Sequence, residues 1–192
     1  MKYFVGLCFL TCSVVPSFGT TISFATPTGI QGVSQTYGGI TATAYGPGTQ
    51  YLYGKNDSGD EKGLGLTSDP AGQHEITVGQ FIQLDVTSLQ GLTISFIMNS
   101  STQSDAWKVF ESSSQYATSG SSTVTGTDEN SHSITIASGM KYLDFTATGG
   151  NVLLSSISYT ATPEPLSLGL TGSGLLGLFL LRRRRAGSAK IG

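Results

Sequence analysis

Cysteine is almost missing from this sequence, and where it occurs it is of no use to a fold. Of 192 residues only Cys8 and Cys12 are cysteines, both near the N-terminus, so a domain built from the rest has neither a disulfide nor a thiolate metal site. Stability must come from packing, which a core of ordinary domain size supplies. Positive charge is equally scarce in the middle. Residues 20–165 hold all twelve carboxylates against Lys55, Lys62, Lys108 and Lys141, a formal charge near −8. That field repels phosphate backbones and anionic lipid and argues against nucleic acid as a partner. Catalytic signatures are missing too: there is no Gly-x-Ser-x-Gly elbow, no phosphate-binding glycine loop with its lysine and no His-Glu-x-x-His. No catalytic residue is assigned, and the chain is read as a non-enzyme.

The apolar runs lie at the two ends. Lys2 precedes an apolar stretch over residues 3–10, and the small residues Ser17 and Gly19 follow Pro16 at positions suited to signal-peptidase cleavage. This order predicts a signal peptide over residues 1–19 and export of the remainder. At the other end residues 162–185 read TPEPLSLGLTGSGLLGLFLLRRRR. Pro163 and Pro165 fix φ and withhold backbone donors, so the Pro163-Glu164-Pro165 triplet is expected to stay extended, the form a peptidase takes in. The apolar run over residues 166–181 is marginally long enough for a transmembrane helix. Arg182, Arg183, Arg184 and Arg185 then form a positive-inside stop that leaves the folded part on the outer side. Gly169, Ser173 and Gly177 make a small-residue stripe that a neighbouring helix could approach.

Triplet, glycine- and leucine-rich apolar run and arginine cluster, in that order, closely resemble the PEP-CTERM sorting signal. The resemblance covers about the last thirty residues; the extension over residues 186–192 is a mild departure from it. It implies a bacterial protein held for a time in the inner membrane, recognised by an exosortase, and then released or transferred to the cell surface or extracellular matrix. The tail is a substrate in this reading.

Between the ends, β-branched residues and period-two alternation outweigh any helical periodicity. Strands are expected at 40–45, 50–53, 74–78, 81–86, 92–98, 106–111, 133–137, 142–147 and 152–160. The expected fold is all-β: an antiparallel β-sandwich over residues 20–161, jelly-roll-like, with a Greek-key or immunoglobulin-like sandwich as the alternative. The Ser- and Thr-dense stretch from Asn99 to Thr135 reads as loop-rich surface, of the kind that meets extracellular polysaccharide or carries sugar.

Three candidate sites follow. The stretch from Lys55 to Gly65 reads as a loop in which Asn56, Asp57, Asp60 and Glu61 offer the hard oxygen ligands that Ca2+ takes, although their spacing is not that of an EF-hand; otherwise no cofactor is expected. Tyr51, Tyr53 and Trp107 could form an aromatic platform for sugar rings, a lectin-like alternative in which core packing competes for Trp107. Asp57, Glu61, Glu75 and Glu111 could supply the carboxylate pair of a glycoside hydrolase. His74 and Glu75, placed at the start of a strand, are expected to point to opposite faces and so not to share a substrate atom.

Overall fold

The computed structural model describes residues 18–68, 72–100 and 105–161. Residues 1–17 of the expected leader, the Pro163-Glu164-Pro165 triplet and the arginines 182–185 lie outside the described residues. Residues Gly19–Ala161 make one compact unit. In chain order its strands are β1 (Phe18–Ser23), β2 (Gly29–Gly32), β3 (Ser34–Tyr37), β4 (Ile40–Tyr45), β5 (Leu52–Asn56), β6 (Lys62–Leu66) and β7 (Ile76–Thr77). Then come β8 (Phe81–Asp85), β9 (Thr93–Asn99), β10 (Ala106–Ser112), β11 (Ser121–Gly126), β12 (Ser131–Thr135), β13 (Tyr142–Gly149) and β14 (Asn151–Ala161). A single 3-10 turn, Thr87–Leu89, is the only helical element among the described residues.

The fold is all-β, with two antiparallel sheets packed as a sandwich. One sheet runs β12-β9-β14-β6-β5-β2, with β1 and β7 also paired to β14; the other runs β11-β10-β13-β8-β4-β3. The last eight strands pair in a nested fashion: β10 with β11, β9 with β12, β8 with β13 and β7 with β14. Successive pairs in this nest fall alternately in the two sheets. The first six strands extend the sheets beyond that nest or pair with β14.

Alternation explains the core. In β4 (ITATAY) Ile40, Ala42 and Ala44 are buried and the threonines between them are half-buried. Pairing registers place Ala44, Ile82, Phe145 and Val109 in one row across four strands, and Ala42, Leu84, Leu143 and Glu111 in the next. Ile94, Phe96 and Met98 of β9 face them from the opposite sheet. Phe96 meets Trp107 edge-on at 5.6 Å and Phe145 at 5.5 Å, so the two sheets interlock through aromatic edges.

Three expectations from sequence are corrected here. Trp107 is fully buried and donates its indole N–H to the Asp128 carbonyl at 3.0 Å, so it belongs to the core and not to an aromatic platform. The stretch from Asn99 to Thr135 carries, besides the expected β10 and β12, a strand that the alternation did not mark, β11. Finally, Lys62–Leu66 (KGLGL) is a strand, paired residue for residue with β5. Its leucines point into the core, and Gly65 is required by what lies on the other face: a Cβ there would stand 2.8 Å from Glu75 Cα and closer still to the His74 carbonyl. The backbone of 74–75 is laid directly on the sheet.

Candidate functional site

The overlay of 74–75 on β6 gathers charge on the outward face of the eight-stranded sheet. Leu52 and Leu64 point into the core, so Tyr53 and Lys55 of β5 point outward. Lys55 Nζ donates to Glu61 and, at 2.6 Å, to Glu75 Oε1. Ser100, just past β9, holds its Oγ 2.8 Å from Glu61 Oε1 and 3.1 Å from Glu75 Oε1. Its φ of +58° is a left-handed conformation that few serines adopt. One ammonium therefore serves two carboxylates, and Glu75 is 2% exposed.

The two acids titrate apart. Burial raises the Glu75 carboxyl above its ordinary range; neighbouring Glu61 adds to this, and Lys55 offsets it only in part. For Glu61 burial is outweighed by hydrogen bonds from Lys55, Glu75 and Ser100, which hold it below the ordinary range. Burial also works against the Lys55 charge, but its bonds to the two glutamates win and raise it.

Beside this knot opens a cleft of about 500 Å3 lined by Thr28, Tyr53, Lys55, Asn56, Asp57 and His74, among others. The Tyr53 ring stacks on the His74 imidazole with centroids 3.9 Å apart and planes 24° from parallel. His74 has φ +63°, and its Nδ1 is buried without a hydrogen-bond partner. It does not start a strand, which begins at Ile76. The expected opposition of His74 and Glu75 across a strand is thus replaced by an irregular segment that places one against Tyr53 and the other against Lys55.

The remaining sequence candidates divide. Tyr53 lines the cleft; Tyr51, 40% exposed, is not among its lining residues. In the acidic turn the Asp57 N–H donates to the Glu61 carbonyl at 2.9 Å and Gly59 takes φ +74°. Asn56, Asp57 and Asp60 are exposed there. Glu61, the fourth calcium candidate, is turned away from them onto Lys55. Among the described residues no group of three or more His, Asp or Glu side chains is arranged as a metal site. Of the hydrolase candidates, Glu61 and Glu75 come together, but around a lysine. Glu111 faces the core, its Oε1 accepting from Ala137 N–H at 2.6 Å and its Oε2 buried without a partner. Ser100 and Thr28 were not legible as site residues, because loops carry them to the sheet and nothing local marks them.

A third buried acid, Asp144, sits on the outward face of the six-stranded sheet. Asp144 Oδ1 accepts from Gln83 Nε2 and Oδ2 from Ser112 Oγ, both at 2.6 Å. Nearby Tyr45 stacks on Phe81 and meets Tyr116 edge-on. His132 is bonded to Asp128 at 2.7 Å, with its ring 4.7 Å from that of Trp107.

Comparison with protein-family models, with curated proteins and with solved structures finds no match to this chain.

Proposed function

We propose that this chain is an exported bacterial surface or extracellular-matrix protein, directed across the inner membrane by residues 1–19 and presented to an exosortase by the Pro163-Glu164-Pro165 tail. Its folded unit is a non-catalytic module of jelly-roll type that meets extracellular polysaccharide. The observation that carries the reading is the order of segments: β14 ends at Ala161, and the next residues are the Thr162-Pro163-Glu164-Pro165 run, the apolar stretch and the four arginines. The nested pairing of the last eight strands supports the jelly-roll assignment. The non-catalytic reading is supported by the placement of the acids: Glu61 and Glu75 are both bonded to Lys55, and Asp144 and Glu111 are sealed from solvent. A lectin-like role is favoured by the Tyr53 cleft, which sets an aromatic ring among amide, hydroxyl and carboxylate groups.

One strand qualifies the leader assignment. β1 begins at Phe18, so cleavage after Gly19 would remove its first two residues while leaving Ile22 in the core. The test is mass spectrometry of both termini of the protein from a host with its exosortase, from a strain lacking the enzyme, and from a variant with Pro163, Glu164 and Pro165 replaced by alanine. Loss of the tail in the first alone supports the reading. Persistence of Arg182 to Arg185 in all three refutes it.

A further inference from the structure

The outward face of β9, β12 and β14 has a regular chemistry that no composition could reveal. Ile94, Phe96, Ile134 and Ile157 point into the core from these three strands, so the residues between them point out. The pairing registers then set Ser133, Ser95 and Ser158 in one row across three neighbouring strands. Thr135 and Thr93 form the row on one side, their hydroxyls 2.8 Å apart. Ser131, Ile97 and Ser156 form the row on the other. Every position in this patch except Ile97 bears a hydroxyl, and none bears a charge. β1, also paired to β14, adds exposed Thr21 and Ser23, which alternate with buried Ile22 and Phe24.

Strand geometry fixes the spacing: about 4.8 Å between strands and about 6.8 Å between alternate residues along one strand. The result is a regular array of hydroxyl groups that each donate and accept one or more hydrogen bonds. A protein partner would ordinarily bring aromatic or arginine anchors needing pockets, and this patch has none. A polyanion would meet the acidic field of a unit that carries eleven carboxylates and four lysines between residues 20 and 161. What remains complementary is a polymer that is itself uncharged and lined with hydroxyls. The Tyr53 cleft lies on the same outward face of the same sheet and supplies the aromatic ring on which a sugar can stack.

We infer that the outward face of β9, β12 and β14 is a docking surface for an extended, neutral polysaccharide, with the Tyr53 cleft as a second contact on that face. The inference rests on the polysaccharide-binding part of the proposed function and is independent of the sorting tail.

The experiment measures binding of the full chain, held in mild detergent, to microcrystalline cellulose and amylopectin as neutral probes and to alginate as the anionic one. The triple variant Ser95→Ala, Ser133→Ala, Ser158→Ala removes the central row; Ser95→Thr, Ser133→Thr, Ser158→Thr keeps its hydroxyls. Removing three hydroxyls from a polar contact should weaken binding by about tenfold or more, while the threonine variant stays within about threefold of wild type, the scatter expected of single polar contacts. Circular dichroism and the thermal midpoint check that both variants fold. Neutral binding that falls with the alanine variant and survives in the threonine variant bears the inference out. It is overturned by equal or tighter binding to alginate, or by an alanine variant that binds as wild type. If Tyr53→Ala abolishes binding while the serine row is indifferent, the lattice is wrong and the polysaccharide reading stands on the cleft alone. If no probe binds, both fall, while the sorting assignment is judged separately by the termini.

Discussion

Replacing Asp144 by asparagine should stabilise this protein at neutral pH and leave it unchanged in acid. Asp144 is fully buried, and burial, only partly offset by hydrogen bonds from Ser112 and Gln83, raises its carboxyl from 3.8 to about 6. The folded state thus holds the Asp144 proton more tightly than the unfolded chain does. Protonation stabilises the fold as pH falls through about 6; the gain is complete below the unfolded value near 3.8 and is lost again as pH rises through about 6. That interval corresponds to about 3 kcal/mol at 1.36 kcal/mol per pH unit. Asparagine has the same shape: its Oδ1 accepts from Gln83 and its Nδ2 donates to the Ser112 hydroxyl, without an ionised form. Urea titrations at pH 4, 6 and 8 should therefore show Asp144→Asn more stable than wild type by up to about 3 kcal/mol at pH 8, with the difference closing by pH 4. Glu75, also raised, and Glu61, lowered, titrate in both proteins and cancel in the difference. A stability difference that does not vary with pH would refute the reasoning, since it would mean that the buried carboxyl ionises as it does in the unfolded chain.

Two further outcomes follow from the knot on the opposite sheet. Lys55→Met removes the cation between Glu61 and Glu75 and should cost about 3 kcal/mol in chemical denaturation, as expected when a buried pair loses one partner; adding Glu75→Gln should restore part of that loss. Gly65→Ala forces a methyl group into the backbone of 74–75 and should cost at least about 1–3 kcal/mol. It should also separate His74 from Tyr53, seen as a change in tyrosine fluorescence and in the His74 imidazole resonances.

The strands most legible in sequence are those whose two faces differ most. β4 falls where its alternation places it, at Ile40 to Tyr45, because alanine and isoleucine meet the core and threonine does not. β9, β10, β13 and β14 are found within a few residues for the same reason. β8, expected at 81–86 and found at Phe81–Asp85, lacks clean alternation because its outward face is also covered, with Phe81 under Tyr45 and Tyr116 and Gln83 against Asp144. β6 is illegible for a related cause. Its outward positions are Gly63 and Gly65, and glycines between leucines look like a turn unless one knows that the backbone of 74–75 lies on Gly65 and that of Leu154 crowds Gly63.

The candidate site shows where local reading ends. Tyr53, Glu61 and Glu75 stand out in the sequence as single chemical groups, but a calcium loop, a carboxylate pair and an aromatic platform each assign them different neighbours. What none of these readings includes is Lys55, whose side chain reaches both Glu61, six residues on, and Glu75, twenty residues on. A lysine next to an acidic turn looks like ordinary solvated surface until the hairpin β5–β6 and the overlay of 74–75 bring all three groups together. The serine lattice is the converse case. Ser95, Ser133 and Ser158 each look like the polar half of an alternating strand, and only the registers of β12, β9 and β14 align them. A surface of this kind is written in three separate places in the chain, each spelling the same period of two, so its chemistry becomes visible only when the sheet is assembled.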